Sequence, residues 1–166
     1  MMIIASGKGR WELIDGIPFS MYPLPSPKHQ WINTNITHEL KLALKKCKHC
    51  KVYMPIDWEI NHETVVQPDA SLVCGEIQGH YLRFPPKVTF EILSEGTEKK
   101  DRVTKRDLYY SAKVKYYVLV LPEEEAVEVY QWSKKGYQVK LKGHSAVFEF
   151  DLDECKFTFD FKNIWS

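Results

Sequence analysis

The chain has almost no net charge. Twenty-three lysines and arginines stand against 22 aspartates and glutamates in 166 residues, a formal charge of +1. That excludes a protein held to nucleic acid or to an anionic membrane by bulk electrostatics and leaves only local patches for such contacts. There is no apolar run of the ~20 residues that a membrane-crossing helix needs. Met1 to Ser6 is too short for a secretory signal, so a cytoplasmic protein with no membrane partner is expected. Repeats, low-complexity stretches and linkers are missing, and one domain over residues 1–166 is the reading for this length. No helix-turn-helix or zinc-finger pattern is present, so no recognition sequence can be read. Cysteine is scarce: Cys47, Cys50, Cys74 and Cys155. Cys47-Lys48-His49-Cys50 has the spacing of half a zinc site, but a zinc ribbon needs a second such pair, and none exists. With no export signal the thiols read as reduced, and the pair as a chance cluster at a helix end.

What is present is a series of short apolar segments divided by turn signals. Trp11 to Ile14 and Ile17 to Tyr22, joined by Asp15-Gly16, read as a hairpin. Ser26 and Pro27 open a helix to about Lys46, with His29, Ile32, Ile36, Leu40 and Ala43 as its inward stripe. Strands are predicted over Val52–Ile60, Val65–Cys74, Lys87–Leu93 and Lys115–Leu121. Half-exposed antiparallel strands follow at 126–132, 137–141, 146–150 and 156–161. Pro68 inside the second of these argues for an irregularity that re-aims Asp69. A second helix over 101–112 places Asp101, Lys105, Leu108 and Ala112 on one stripe. The class is α+β: a mixed sheet flanked by helices with antiparallel C-terminal strands.

Two acids stand out. Asp69 is flanked by Val65, Val66, Leu72 and Val73, and Glu91 by Val88, Phe90, Ile92 and Leu93. A carboxylate in a buried strand is costly unless paired, protonated or bound to a cation. Two of them on neighbouring strands, with Lys105 on the following helix, make the parts of a divalent-metal site in a phosphodiesterase. Hard oxygen ligands suit Mg²⁺ or Mn²⁺. A lysine can orient water or offset developing charge. Basic clusters at Lys99-Lys100-Asp101-Arg102 and Lys105-Arg106 flank this site and could follow a phosphate backbone.

Several motifs stand together in a recognisable order. They are Trp11-Glu-Leu-Ile-Asp-Gly16, Ser26-Pro-Lys-His29, Val66-Gln-Pro-Asp69, Phe90-Glu-Ile-Leu-Ser94 and Asp101-x-x-x-Lys105-x-x-x-Tyr109. Val114-Lys-Tyr-Tyr-Val-Leu-Val120 and Val127-Glu-Val-Tyr130 complete the set. Together they resemble the Uma2 family of restriction-endonuclease-like proteins, also called DUF820, over about residues 10 to 132. The resemblance implies the PD-(D/E)XK nuclease superfamily, a mixed sheet between helices, and metal-dependent cleavage of DNA. By that resemblance Asp69 and Glu91 are the two acids, and the Ile92 carbonyl is a third metal ligand. The motif lysine would fall at position 93, which here is Leu93; the family pattern moves it to Lys105. Glu12, His29, Gln67 and Asp101 are further site candidates. Double-strand cutting by one-site chains implies a homodimer, with the aromatic C-terminal strands as its interface. Two other readings compete: a non-catalytic nucleic-acid-binding or regulatory protein on this fold, and a purely structural Glu91–Lys105 ion pair.

Overall fold

Asp15 and Gly16 both take positive φ, 50° and 78°, the pair of left-handed residues that a two-residue hairpin turn requires. They join β1 (Trp11–Ile14) to β2 (Ile17–Ser20). The computed structural model describes residues 9–144 and 146–166; Met1 to Ser6, where a signal was sought, lies outside them. Ser26 caps α1 (Pro27–Ala43), its hydroxyl accepting from the His29 N–H at 3.2 Å. His29, Ile32, Asn33, Ile36 and Leu40 form the buried face of α1, and a 3₁₀ turn, Leu44–Lys46, ends it.

The strands that follow are β3 (Cys50–Tyr53), β4 (Trp58–Asn61), β5 (Thr64–Val66), β6 (Ala70–Cys74) and β7 (Val88–Ile92). A π-helical turn over Lys100–Lys105 runs directly into α2 (Arg106–Ser111). Then come β8 (Tyr116–Leu121), β9 (Ala126–Gln131), β10 (Gln138–Gly143), β11 (Val147–Asp151) and β12 (Lys156–Asp160). Six strands form a mixed sheet in the order β10-β9-β8-β7-β6-β3, in which only β7 and β8 run parallel. A smaller sheet has the order β2-β1-β5-β4, and β11 pairs with β12.

The two long strands predicted over 52–60 and 65–74 are each broken, and the cause is the same. Proline carries no N–H for the ladder and restricts the residue before it. At Pro55 the chain leaves the large sheet at Tyr53 and enters the small one at Trp58. At Pro68 it passes back from Val66 to Ala70. Asp69 therefore sits at the crossing between two sheets.

The large sheet is covered on both faces. Val88, Phe90 and Ile92 of β7 pack with Ile32, Ile36 and Leu40 of α1 and with Phe150, Phe157, Phe159 and Phe161. The opposite face gives Tyr117 and Leu119 to a cluster with Ile14, Trp58, Val66 and Tyr109. The aromatic C-terminal strands are thus core: Phe150 and Phe161 are fully buried. Their outward positions, Val147 among them, remain exposed. No helix among the described residues is long and apolar enough to cross a membrane.

The cysteines depart from the sequence reading. Cys47 is bridged to Cys155, and Cys50 to Cys74 across the β3–β6 ladder. Sequence spacing alone does not reveal this, because the strand pairing brings Cys74 opposite Cys50.

Leu40→Ala tests the packing of α1. Leu40 is fully buried between helix and sheet, so urea titration should show a loss of about 2–5 kcal/mol. A loss of less than about 1 kcal/mol would place Leu40 outside the core.

Candidate active site

Glu91 occupies β7, an interior strand of the large sheet, and points away from Phe90 and Ile92 into the space beneath the small sheet. Its Oε1 accepts from the Lys105 Nζ at 3.1 Å and from the Tyr109 hydroxyl at 2.5 Å. The Lys105 ammonium also lies 2.9 Å from Glu12 Oε1 and 3.8 Å from Asp101 Oδ1. Glu12 comes from β1. It accepts the Gln67 backbone N–H at 2.9 Å and pairs with Lys100 at 2.8 Å through its other oxygen. Glu12, Glu91, Asp101 and Lys105 are all at most 3% exposed.

The π turn explains how Asp101, Lys105 and Tyr109 reach one line. Residues four apart overshoot a full α-helical turn by about 40°. The wider π turn falls short of one. From Asp101 to Lys105 the chain makes the wide turn, and from Lys105 to Tyr109 the narrow one, so the two deviations offset each other. The inward stripe therefore runs Asp101, Lys105, Tyr109, and the expected Leu108 and Ala112 are only half-buried. Tyr117 fixes the turn by donating to the Asp101 carbonyl at 2.6 Å. Tyr109 is held between Trp58, stacked at 5.6 Å, and the edge of Tyr117 at 5.3 Å.

Asp69 lies at the more open end. Its Oδ2 accepts the Ile92 N–H at 2.8 Å and meets His29 Nε2 at 3.2 Å. The Asn33 amide donates to its backbone carbonyl at 2.8 Å. Asp69 and His29 side chains are 16% and 11% exposed, so solvent and any ligand meet this site over Asp69 rather than Glu91.

The charges respond to this crowding. Burial pushes the Glu91 carboxyl well up; Lys105 opposes that, while Asp101, Asp69 and Glu12 add to it. Asp101 is raised by burial despite Lys105 and Thr97. Burial alone would also raise Glu12, but Lys105 and Lys100 bring it down to about 2. Burial disfavours a charged His29, yet its hydrogen bond and attraction to Asp69 leave it raised. Burial likewise opposes the Lys105 charge, and Glu91, Glu12 and Asp101 override it.

Of the residues read from sequence, Glu12, Glu91, Asp101 and Lys105 form one buried group, and Asp69, His29 and Ile92 a second joined to it along β7. Gln67 contributes its backbone. Its side chain turns away, donating to Asp57 and accepting from Arg10. Among the described residues the acids do not close on one point; the three ligand-type side chains that do so within 4.8 Å are Cys50, Cys74 and Glu154. Lys100, Tyr109, Tyr117 and Asn33 were not singled out for the site. For Tyr109 the four-residue spacing after Lys105 was the available signal. The basic clusters are not an open track: Lys100 is on Glu12, Arg102 on Glu98 and Glu128, and Arg106 over the Tyr130 ring at 4.9 Å.

Comparison with known proteins agrees with this architecture. The Uma2 family, described as "Putative restriction endonuclease", matches residues 3–147. A solved structure from Anabaena variabilis, described as "a putative nuclease belonging to DUF820", superposes with a TM-score of 0.77 at 18% identity. The match covers 98% of this chain and 93% of that one and shows a shared fold. No curated protein matches. With the family match running through β1, α1, the Asp69 crossing, β7 and the π turn, this chain belongs to the Uma2 family.

Proposed function

We propose that this chain is a metal-dependent endonuclease that hydrolyses phosphodiester bonds of DNA, with Asp69, Glu91 and Lys105 as its catalytic residues. The observation that carries the reading is an excess of buried carboxylate. Four acids, Glu12, Asp69, Glu91 and Asp101, face two ammoniums and one imidazole. Burial first, and neighbouring acids after it, raise the Glu91 and Asp101 carboxyls although Lys105 opposes both. A single structural Glu91–Lys105 pair would need neither Glu12 nor Asp101 beside it. An oxygen-only donor set short of cation suits a hard divalent ion. Mg²⁺ or Mn²⁺ held by Asp69, Glu91 and the Ile92 carbonyl would supply a Lewis acid and a more acidic bound water.

The protein's own groups then have distinct tasks. His29 and the Ile92 N–H orient Asp69. Tyr109 fixes Glu91 by a hydrogen bond to one oxygen. Lys105, locked by three acids, presents a compact positive charge that orients the attacking water and offsets charge on the phosphorane. Two copies of the chain would be needed to cut both strands in one encounter. A non-catalytic nucleic-acid-binding or regulatory role is the second reading, favoured by one observation: the cations around the site are already committed to acids. Plasmid and single-stranded DNA incubated with Mg²⁺, Mn²⁺ or chelator separate the two. Metal-dependent nicking supports the nuclease, and DNA left intact in every condition rejects it.

Three outcomes follow. Calorimetry with Mn²⁺ should show binding that Asp69→Ala or Glu91→Ala removes; wild-type binding by both variants would refute the ligand assignment. Lys105→Ala should slow cleavage by about 10²–10³ with Mn²⁺ affinity unchanged or higher, because the ammonium competes for the same oxygens. Lys105→Arg should rescue poorly, since a planar fork replaces a point charge. Cleavage by Lys105→Ala at the wild-type rate would remove the lysine from the mechanism. The third outcome concerns pH. Glu91 and Asp101 hold protons at higher pH than ordinary carboxylates, and a metal ligand must be ionised, so binding expels protons. Mn²⁺ affinity should therefore rise with pH above the usual carboxylate range. Titrations in buffers of different ionisation enthalpy should register proton release; affinity flat across that range would contradict it.

A further inference from the structure

Away from the acidic site, the chain's four cysteines lie as two bridged pairs against one core cluster: Cys50 and Cys74 close with Glu154 within 4.8 Å, and Cys47 is bridged to Cys155. Each comes from a different piece of structure. Cys47 ends the 3₁₀ turn after α1, Cys50 opens β3, Cys74 closes β6, and Cys155 sits in the turn between β11 and β12. Cys47 and Cys50 are folded onto each other by the Cys50 N–H donating to the Cys47 carbonyl at 3.0 Å. The Cα atoms are 4.0 Å apart for Cys50 and Cys74, and 5.8 Å apart for Cys47 and Cys155. Glu154, next to Cys155, reaches within 4.0 Å of Cys50 Sγ, which ties the second pair to the first. Cys47 and Cys50 are 8% and 6% exposed, so the sulfurs sit at the edge of the core rather than in open solvent.

We propose that these four cysteines form a zinc site in the reduced protein, and that the two bridges are the oxidised form of the same site. A turn-borne C-x-x-C pair facing two further sulfurs is the donor set of a closed structural zinc centre, whose preferred ligands are thiolates in a tetrahedron. Four thiolates on Zn²⁺ carry a net charge of −2. The surrounding sequence supplies Lys45, Lys46, Lys48 and Lys51 to offset it. The second C-x-x-C that a zinc ribbon would need is replaced by tertiary structure: the β3–β6 register delivers Cys74, and the β11–β12 turn delivers Cys155. Conversion between the forms balances. Each bridge takes two electrons and two protons from a dithiol, or two electrons from a phosphine and two protons from the water that becomes its oxide oxygen, to give two thiols, and the four thiols release four protons as Zn²⁺ binds. The centre would join α1, β3, β6 and the C-terminal hairpin at the end of α1 remote from His29. It does not depend on the nuclease reading.

The full chain should be reduced with a phosphine under nitrogen, freed of metal with chelator, and titrated with Co²⁺ and then Zn²⁺. One Co²⁺ per chain with the intense visible absorption of tetrahedral thiolate coordination is expected. One equivalent of Zn²⁺ should bleach it, and all four thiols should be protected from alkylation. The absorption should persist in Glu91→Gln, which separates this site from the acidic one, and disappear in Cys47→Ser and Cys74→Ser. A reduced chain that unfolds and is refolded by Zn²⁺ also supports the site. A wild-type reduced chain that gives only weak octahedral cobalt absorption overturns it. So does one that remains unfolded with Zn²⁺, or one whose four thiols stay reactive at saturating metal.

Discussion

Three carboxylates from three separate elements close on one ammonium: Glu12 from β1, Glu91 from β7 and Asp101 from the π turn, all around Lys105. Each ion has left water, and a buried charge stripped of its partner costs about 3–5 kcal/mol. The group therefore acts as a geometric lock. Moving the small sheet off the large one separates Glu12 from Lys105. Straightening the π turn separates Asp101 from it. The small sheet, the central strand and the helix are held at fixed mutual positions by charge as well as by apolar contact, and that contact includes Trp58, Tyr109 and Tyr117.

The two prolines give this lock its opening. By ending one ladder and starting another, Pro55 and Pro68 turn two neighbouring strands from sheet to sheet, and Asp69, next to Pro68, is left partly exposed at the crossing. Behind it the chemistry is graded by depth. Asp69 and His29 are the accessible members, while Glu91 and Lys105 lie deeper and drier, where a charge exerts a stronger field.

How much of this was legible in the sequence depends on whether the signal was local. The Asp15-Gly16 turn, the Ser26 cap, the α1 stripe and the apolar setting of Asp69 and Glu91 are local, and each stands where it was read. Lys105 was placed inward because Leu108 followed it, but the line it belongs to ends at Tyr109. A wheel drawn at 3.6 residues per turn cannot show a π turn. Leu93 stands where the resemblance expects a lysine, and Lys105 lies 3.1 Å from Glu91. Strand pairing is non-local, and what it brought together was missed. It set Cys74 opposite Cys50, turned the C-terminal phenylalanines inward, and engaged Lys100 and Arg102 with acids distant in sequence.

The π turn has a consequence for the length of the chain. It is in effect one residue more than an α-helix would hold over Lys100–Lys105. Deleting a residue between Asp101 and Lys105 would let the segment relax into an uninterrupted α-helix. Asp101 would then stand seven residues before Tyr109, two α-helical turns less about 20°, and so on the same face of the helix. Asp101 and Lys100 would keep their sides of the helix, and Lys105 would follow Asp101 by three residues instead of four. The composition of the segment would scarcely change. Between β7 and α2 the wide turn lets this protein carry one residue more than an α-helix would hold while the faces on either side of it stay in register.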